Sequence, residues 1–298
     1  MPQSSISPTS GANWPEGLAP SSTLRDRVVT AIVLIGGFAA ALFTLQAIGW
    51  TVLAALVLGC AAWEWAGFAR CRSGARGAYA LATVAAGTGA AWLLQLATGG
   101  TGTFTLACVY GATLAFWIIV APIWLRRRPA APSPALILAI GWIVLLPTFF
   151  AFVQLRNMHP MMLLLFLMTV WIADIAAYFV GSRFGRHKLA PSVSPGKTWE
   201  GVAGAFAATT VYALIWTAAF QRYAPAIVRD LPASVVWMLV LIMALTGLSV
   251  LGDLFESSLK RQAGLKDSAT FLRGHGGLLD RIDALTSVLP AAALVCMI

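Results

Sequence analysis

Hydrophobic residues in this chain come in long blocks, and the polar residues collect between them. From 28 to about 68 the apolar run is almost unbroken. A helix needs roughly 20 residues to cross a bilayer, so this block predicts two helices, turning near Ile48-Gly49-Trp50. Later blocks end at about 96 and at Arg126-Arg127-Arg128, then cover about 135–152, 161–180, 201–220, 233–255 and 278–298. Within them polar and apolar positions do not alternate, as they would in barrel strands. The pattern predicts an all-α fold, a polytopic transmembrane helix bundle of about nine spans.

The polar connections divide the chain and orient it. The first 24 residues are rich in Ser, Pro and Gly, as expected of a disordered cytoplasmic tail and not of a cleaved signal peptide. Residues 25–155 then read as N-terminal transmembrane helices and 156–298 as a C-terminal transmembrane catalytic region, with no internal repeat. Basic residues mark the N-terminus and the second, fourth, sixth and eighth connections, whereas the first and third, including the turn 98–103, carry no charge. Positive charge favours the cytoplasmic side, so the N-terminus is expected inside. All four lysines, Lys188, Lys197, Lys260 and Lys266, fall in the sixth and eighth connections. Both lie on that same side, where nucleotides are.

Composition sharpens this reading. The chain is 59% hydrophobic and 10% charged, too little polar surface for a soluble protein of its length. The net charge of +9 sits mostly on arginines between apolar blocks. That distribution suits anionic headgroups of a lipid bilayer and not nucleic acid. Cys60, Cys71, Cys108 and Cys296 have no metal-ligand spacing and are expected to be small buried apolar residues.

Chemistry concentrates between Gly252 and Asp283. Asp253 closes an apolar block, with Glu256 and Ser257 one helical turn on and Lys260 two turns on. Asp280 and Asp283 are one turn apart at the start of the last block. An ionised Asp near hydrocarbon costs roughly 2.5–3.5 kcal/mol on insertion scales, so several together need partners. Carboxylates from two helix ends suit Mg²⁺, which fills its remaining positions with water and phosphate. The alternative is simple pairing with Lys260, Arg261 and Arg281. Gly274-His275-Gly276-Gly277 leads into a helix start, where backbone N–H groups favour an anion.

Upstream, Asp174 lies inside an apolar block on a stripe with Trp171, Tyr178 and Gly181, and calls for a polar cavity, a metal or an interhelical hydrogen bond. In Ser194-Pro195-Gly196-Lys197-Thr198-Trp199-Glu200-Gly201 the chain breaks before a helix. Lys197 and Thr198 would face anions there, or else Thr198 caps the helix and Lys197 snorkels. Glu64, between Trp63 and Trp65, reads as a structural partner and not as a catalyst.

These residues resemble the phosphatidate cytidylyltransferase (CDP-diacylglycerol synthase) family. The resemblance rests on Ser257-x-Leu259-Lys260-Arg261, then Lys266-Asp267, then His275-Gly276-Gly277-Leu278-x-Asp280-Arg281-Ile282-Asp283, with Ser194-Pro195-x-Lys197-Thr198-Trp199-Glu200-Gly201 as a second block. It covers about 171 to the end; the first half is similar only in being a run of spans. The family commonly has a proline two residues before the histidine, where this chain has Arg273.

The resemblance implies attack by phosphatidic acid on the α-phosphorus of CTP, with pyrophosphate leaving. It implies Asp253 and Asp280 as principal Mg²⁺ ligands, with Asp283 and Asp174 as further candidates. Ser194, Lys197, Thr198, Lys260, Arg261, Lys266, His275, Gly276, Gly277 and Arg281 would then bind the triphosphate or the lipid phosphate. The enzyme would sit in the inner (cytoplasmic) membrane with its site facing the cytoplasm; a homodimer remains open. Two rivals stand beside it: a CTP-dependent lipid kinase, and an ion-coupled membrane transporter, which should place its charges near the midplane of two related halves.

Overall fold

The apolar blocks end where the chain supplies a cap or loses a backbone donor. The computed structural model describes residues 24–99, 104–129, 132–223, 234–265, 268 and 277–297. It shows α1 (Leu24–Thr44), α2 (Ala47–Phe68), α3 (Ser73–Leu93), α4 (Phe104–Arg127), α5 (Pro134–Met158) and α6 (Pro160–Phe184). A hairpin of β1 (Lys188–Ala190) and β2 (Ser194–Thr198) follows, then α7 (Trp199–Tyr223), α8 (Val235–Ala263) and α9 (Leu279–Val295). Residues Met1–Ala41, which include most of α1, form one unit and Leu42–Ile298 another; the packing below is that of the second. Of the tail expected over 1–24 only Leu24 is described, and 100–103 of the uncharged turn lie outside the described residues.

Local chemistry explains the boundaries. Pro134 and Pro160 occupy the first turns of α5 and α6, where a missing N–H costs nothing. Ser133 Oγ caps α5 by accepting from Leu136 N at 3.2 Å, and His159 Nδ1 accepts from Met161 N at 3.1 Å before α6. In α4 the ladder widens to a π-helical turn over Phe116–Val120, just ahead of Pro122, whose ring cannot donate and crowds the preceding turn. Gly264 ends α8 at φ +75°, a left-handed conformation open to glycine without strain, and Leu265 N closes the cap on Lys260 O at 2.8 Å.

Six helices among the described residues are long and apolar enough to cross a membrane: α2, α4, α5, α6, α7 and α8. The helical membrane bundle expected from the pattern is therefore present. The sixth connection departs from it, because Lys188 pairs with Thr198 and Ala190 with Ser194 in a two-stranded antiparallel hairpin instead of an irregular loop. Cys60 and Cys108 also depart from expectation: both are exposed on spanning helices. An apolar side chain there is satisfied by lipid as well as by protein core.

Packing centres on α9. It contacts α8, α5, α4 and α6, and every residue from 284 to 293 is buried. Its body is thus enclosed by other helices, as an all-round apolar helix requires. At the other side of the site, Phe255 of α8 is buried among Phe116, Trp117 and Trp124 of α4, with ring centroids 5.5, 5.4 and 6.0 Å away. Burying such a side chain is worth about 1.5–3 kcal/mol, so this cluster fixes α8 one turn before its polar end.

Candidate active site

Gly252 sets the distance between α8 and α9. A Cβ built there would meet Ser287 Oγ at 2.6 Å and Asp283 O at 3.0 Å, so only glycine lets the two backbones touch. Ser287 Oγ seals the crossing by donating to Leu248 O at 2.7 Å. The next residue, Asp253, is thereby brought beside α9, whose first turns carry Asp280 and Asp283. On the far side, Gly201 of α7 faces Ala177 O and Gly181 of α6, where a Cβ would lie 2.8 and 3.4 Å away. The two close crossings bring α6, α7, α8 and α9 to one polar mouth.

Two ion pairs occupy it. Lys197 of β2 pairs with Asp253, whose other oxygen accepts from Ser257 Oγ at 3.3 Å. Lys260 Nζ lies 2.6 Å from Asp280 Oδ1 and 3.4 Å from Glu256 Oε1. Asp280 also accepts from Gly277 N at 3.0 Å and from Ser268 N at 3.1 Å. Asp174, Asp253, Glu256 and Asp283 lie within electrostatic reach of one or more of the others and of Lys197 or Lys260, so the two pairs form one charged assembly.

Beside Lys197 and Asp253 opens a cavity of about 380 Å³. Its polar wall holds Asp174, Ser194, Lys197 and Asp253; Ala177, Val202, Ala205 and Val250 line it with small apolar groups. The hairpin is held over this mouth by Arg261 Nε, which donates to Val193 O at 3.3 Å, and by Arg128 on Ser192. Thr198 is buried and accepts from Gly201 N at 3.1 Å, which makes it the N-cap of α7 as well as a cavity residue. Glu200, in the first turn of α7, pairs with His187 Nδ1 at 2.6 Å and so ties the hairpin's entry to its exit.

The donor set suits a hard cation, since every carboxylate in the assembly offers oxygen. Both oxygens of Glu256 are buried; Oε1 is ion-paired with Lys260, and Oε2 accepts no hydrogen bond among the described residues, which leaves that oxygen open to a cation. Among those residues, however, no three His, Cys, Asp or Glu side chains gather closely enough to hold a metal ion by themselves. Asp253 and Asp280, expected as principal ligands, each pair with a different lysine. A Mg²⁺ with few protein ligands, the rest water and phosphate, remains compatible with that arrangement.

The structure brings Asp174, Ser194, Lys197, Thr198 and Asp253 together around one cavity and places Lys260 beside Asp280. Asp283 lies one turn on, its Oδ1 accepting from Ala284 N at 2.7 Å, and Arg281 is exposed at the entrance of α9. Lys266, His275 and Gly276 lie outside the described residues. Two contributors were not assigned to the site: Glu256, signalled by its i,i+4 spacing to Lys260, and Ser268, for which the sequence holds no signal.

The fold is thus a helical membrane bundle with two lysine–carboxylate pairs beside a cavity with small apolar walls. Residues 25–298 match the profile of the cytidylyltransferase family, and the chain belongs to that family. It is 36% identical over 287 residues to the phosphatidate cytidylyltransferase of Pseudomonas aeruginosa, covering 91% of this chain and 96% of that protein. The Haemophilus influenzae protein of the same name is 34% identical over 287 residues, covering 90% and 96%. The Bacillus subtilis one is 39% identical over 145 residues, covering 48% of this chain and 51% of its own.

Proposed function

We propose that the chain is a phosphatidate cytidylyltransferase, which makes CDP-diacylglycerol and pyrophosphate from CTP and phosphatidic acid for phospholipid synthesis. The carrying observation is the junction of Lys197–Asp253 and Lys260–Asp280 across the ends of α8 and α9, beside a cavity with small apolar walls. A lipid phosphate can enter such a cavity while its acyl chains stay among the helices.

In the reaction, an oxygen of the phosphatidic acid phosphate attacks the α-phosphorus of CTP. A new P–O–P linkage forms, the bond from the α-phosphorus to the bridging oxygen breaks, and pyrophosphate leaves with that electron pair. A phosphate monoester has its second pKa near about 6, so the nucleophile is already ionised and no general base is required. The protein's work is positioning and charge stabilisation. Lys197 and Lys260 carry the cations at the mouth, and Arg261, Arg281, Lys266 and the Gly276-Gly277 backbone add donors for the triphosphate or the lipid phosphate. Asp253 and Asp280 would hold Mg²⁺, with Asp283 and Asp174 as alternative candidates, and the ion would supply neutralisation of the phosphate charge, taking its other ligands from water and phosphate. Ser194 and Thr198 shape the cavity that receives the lipid phosphate.

The chain crosses the inner membrane nine times with its N-terminus and site on the cytoplasmic side. The confinement of all four lysines to the sixth and eighth connections supports this.

The test is product analysis of purified protein given labelled CTP, phosphatidic acid and Mg²⁺. The expected products are CDP-diacylglycerol and pyrophosphate. Release of CDP with a newly phosphorylated lipid would establish a lipid kinase instead.

A further inference from the structure

Glu64 belongs to α2, over 200 positions before the residues it binds in the polar segment. Its side chain is buried, and no lysine or arginine pairs with it among the described residues. Three donors converge on the carboxylate. Oε1 accepts from Leu278 N at 2.9 Å, while Oε2 accepts from Leu279 N and from Ser268 Oγ, each at 2.8 Å.

These donors identify what Glu64 does. The first N–H groups of a helix have no partner within it and are normally met by a Ser, Thr, Asp or Asn at the cap. At the start of α9 that position is Leu278, which has no side-chain acceptor, and Gly277 precedes it. Glu64 supplies the missing cap from another helix, and its negative charge is favoured at the positive end of α9. Ser268 is held from two sides: its hydroxyl by Glu64 and its amide by Asp280. Glu64 and Asp280 therefore grip the same loop residue and the same helical turn.

We propose that Glu64 is a positioning residue for nucleotidyl transfer: it clamps the first turn of α9 and Ser268, so that Asp280 meets Lys260 at the reaction centre. The proposal rests on the cytidylyltransferase reading. Glu64 is engaged by these three donors and acts through Asp280. The role requires a carboxylate. Glutamine has the same shape but one acceptor oxygen, so its amide N–H₂ would face at least one of the three donors.

Wild-type protein, Glu64→Gln and Ser268→Ala are compared by kcat and KM for CTP with phosphatidic acid, and by amide hydrogen exchange over 277–297. A misplacement of about 1 Å in a reacting constellation can cost about 10²-fold, so Glu64→Gln should lower kcat by that order with a smaller change in KM. Exchange at the Leu278 and Leu279 amides should quicken by about tenfold or more, while the buried second half of α9 stays protected. Ser268→Ala should cost less, about 3–10-fold, and should add little in the Glu64→Gln background, where the shared clamp is already broken.

A Glu64→Gln kcat within about twofold of wild type, or unchanged exchange at those two amides, would overturn the clamp. If Glu64→Gln does not fold, full activity in Ser268→Ala overturns it. Wild-type protein that makes no CDP-lipid would sink the reaction assignment instead, and the exchange arm would still decide the clamp.

Discussion

Lys260 Nζ lies 2.6 Å from Asp280 Oδ1, joining the last turns of α8 to the first turn of α9. Both side chains are largely shielded, at 12% and 19% exposure, so the contact is not a surface ion pair of negligible worth. The same ammonium is the only ion partner of Glu256 among the described residues. One lysine thus balances two carboxylates at the point where the helices meet.

Removing that cation should be expensive. Lys260→Met keeps the stem and deletes the charge, leaving Asp280 and Glu256 facing each other. Breaking one side of a buried pair costs about 3–5 kcal/mol, so the detergent-solubilised variant should melt well below wild type. The double variant Lys260→Met/Asp280→Asn should recover part of the melting temperature and none of the turnover. Recovery of both would reduce the pair to a structural role.

Lys197 is set differently, on a hairpin and beside the open cavity. Lys197→Ala should lower turnover strongly with little loss of fold, since its side chain and that of Asp253 are each about a quarter exposed. Lys197→Arg should recover part, because the guanidinium keeps the charge but presents a planar fork where an ammonium was a point. Steady-state rates on both variants check this; full activity in Lys197→Ala would leave the residue as a helix-start lysine.

Residues 252–283 were readable because charged groups packed into a chain so apolar demand an explanation, and helical spacing put Asp253, Glu256 and Lys260 on one face. Which lysine meets which carboxylate was not readable. Lys260 reaches Asp280 across 20 positions and Lys197 reaches Asp253 from another element, contacts set by helix crossings at Gly252 and Gly201. The clamp by Glu64 was least visible of all, since nothing local distinguishes an acid bound to a distant helix start from any other buried acid. The hairpin was hidden because its longer strand, Ser194–Thr198, contains Pro195 and Gly196, both poor strand formers. The apolar block ends near 255, and α8 continues beyond it to Ala263, its last turns stabilised by i,i+4 pairing of Glu256 with Lys260.

Sidedness can be read by thiol labelling. In a background without Cys60, Cys71, Cys108 and Cys296, a cysteine at Thr98 should react with an impermeant reagent applied to intact cells. One at Pro191, in the hairpin turn, should react only after permeabilisation. Thr98 is preferable to Gly99, whose φ of +97° would strain any side chain. The reverse labelling would place the charged mouth on the side without CTP.

The carboxylates at the two helix ends provide the sharpest test of Mg²⁺ at this mouth. Asp253 and Asp280 are held by different lysines, yet both belong to one charged assembly, at the end of α8 and the start of α9. Asp253→Asn and Asp280→Asn conserve shape and remove one charge each. If the carboxylates hold Mg²⁺ against the phosphates, each variant should lose most activity while remaining folded, and residual turnover should need more Mg²⁺ for half-saturation. If they only neutralise Lys197 and Lys260, Asn leaves a lysine unpaired, so stability should fall with activity and the Mg²⁺ dependence should not move. The two outcomes separate in one experiment that measures melting temperature and the Mg²⁺ concentration dependence of turnover on the same preparations. A fully active double Asn variant would falsify metal binding by this pair.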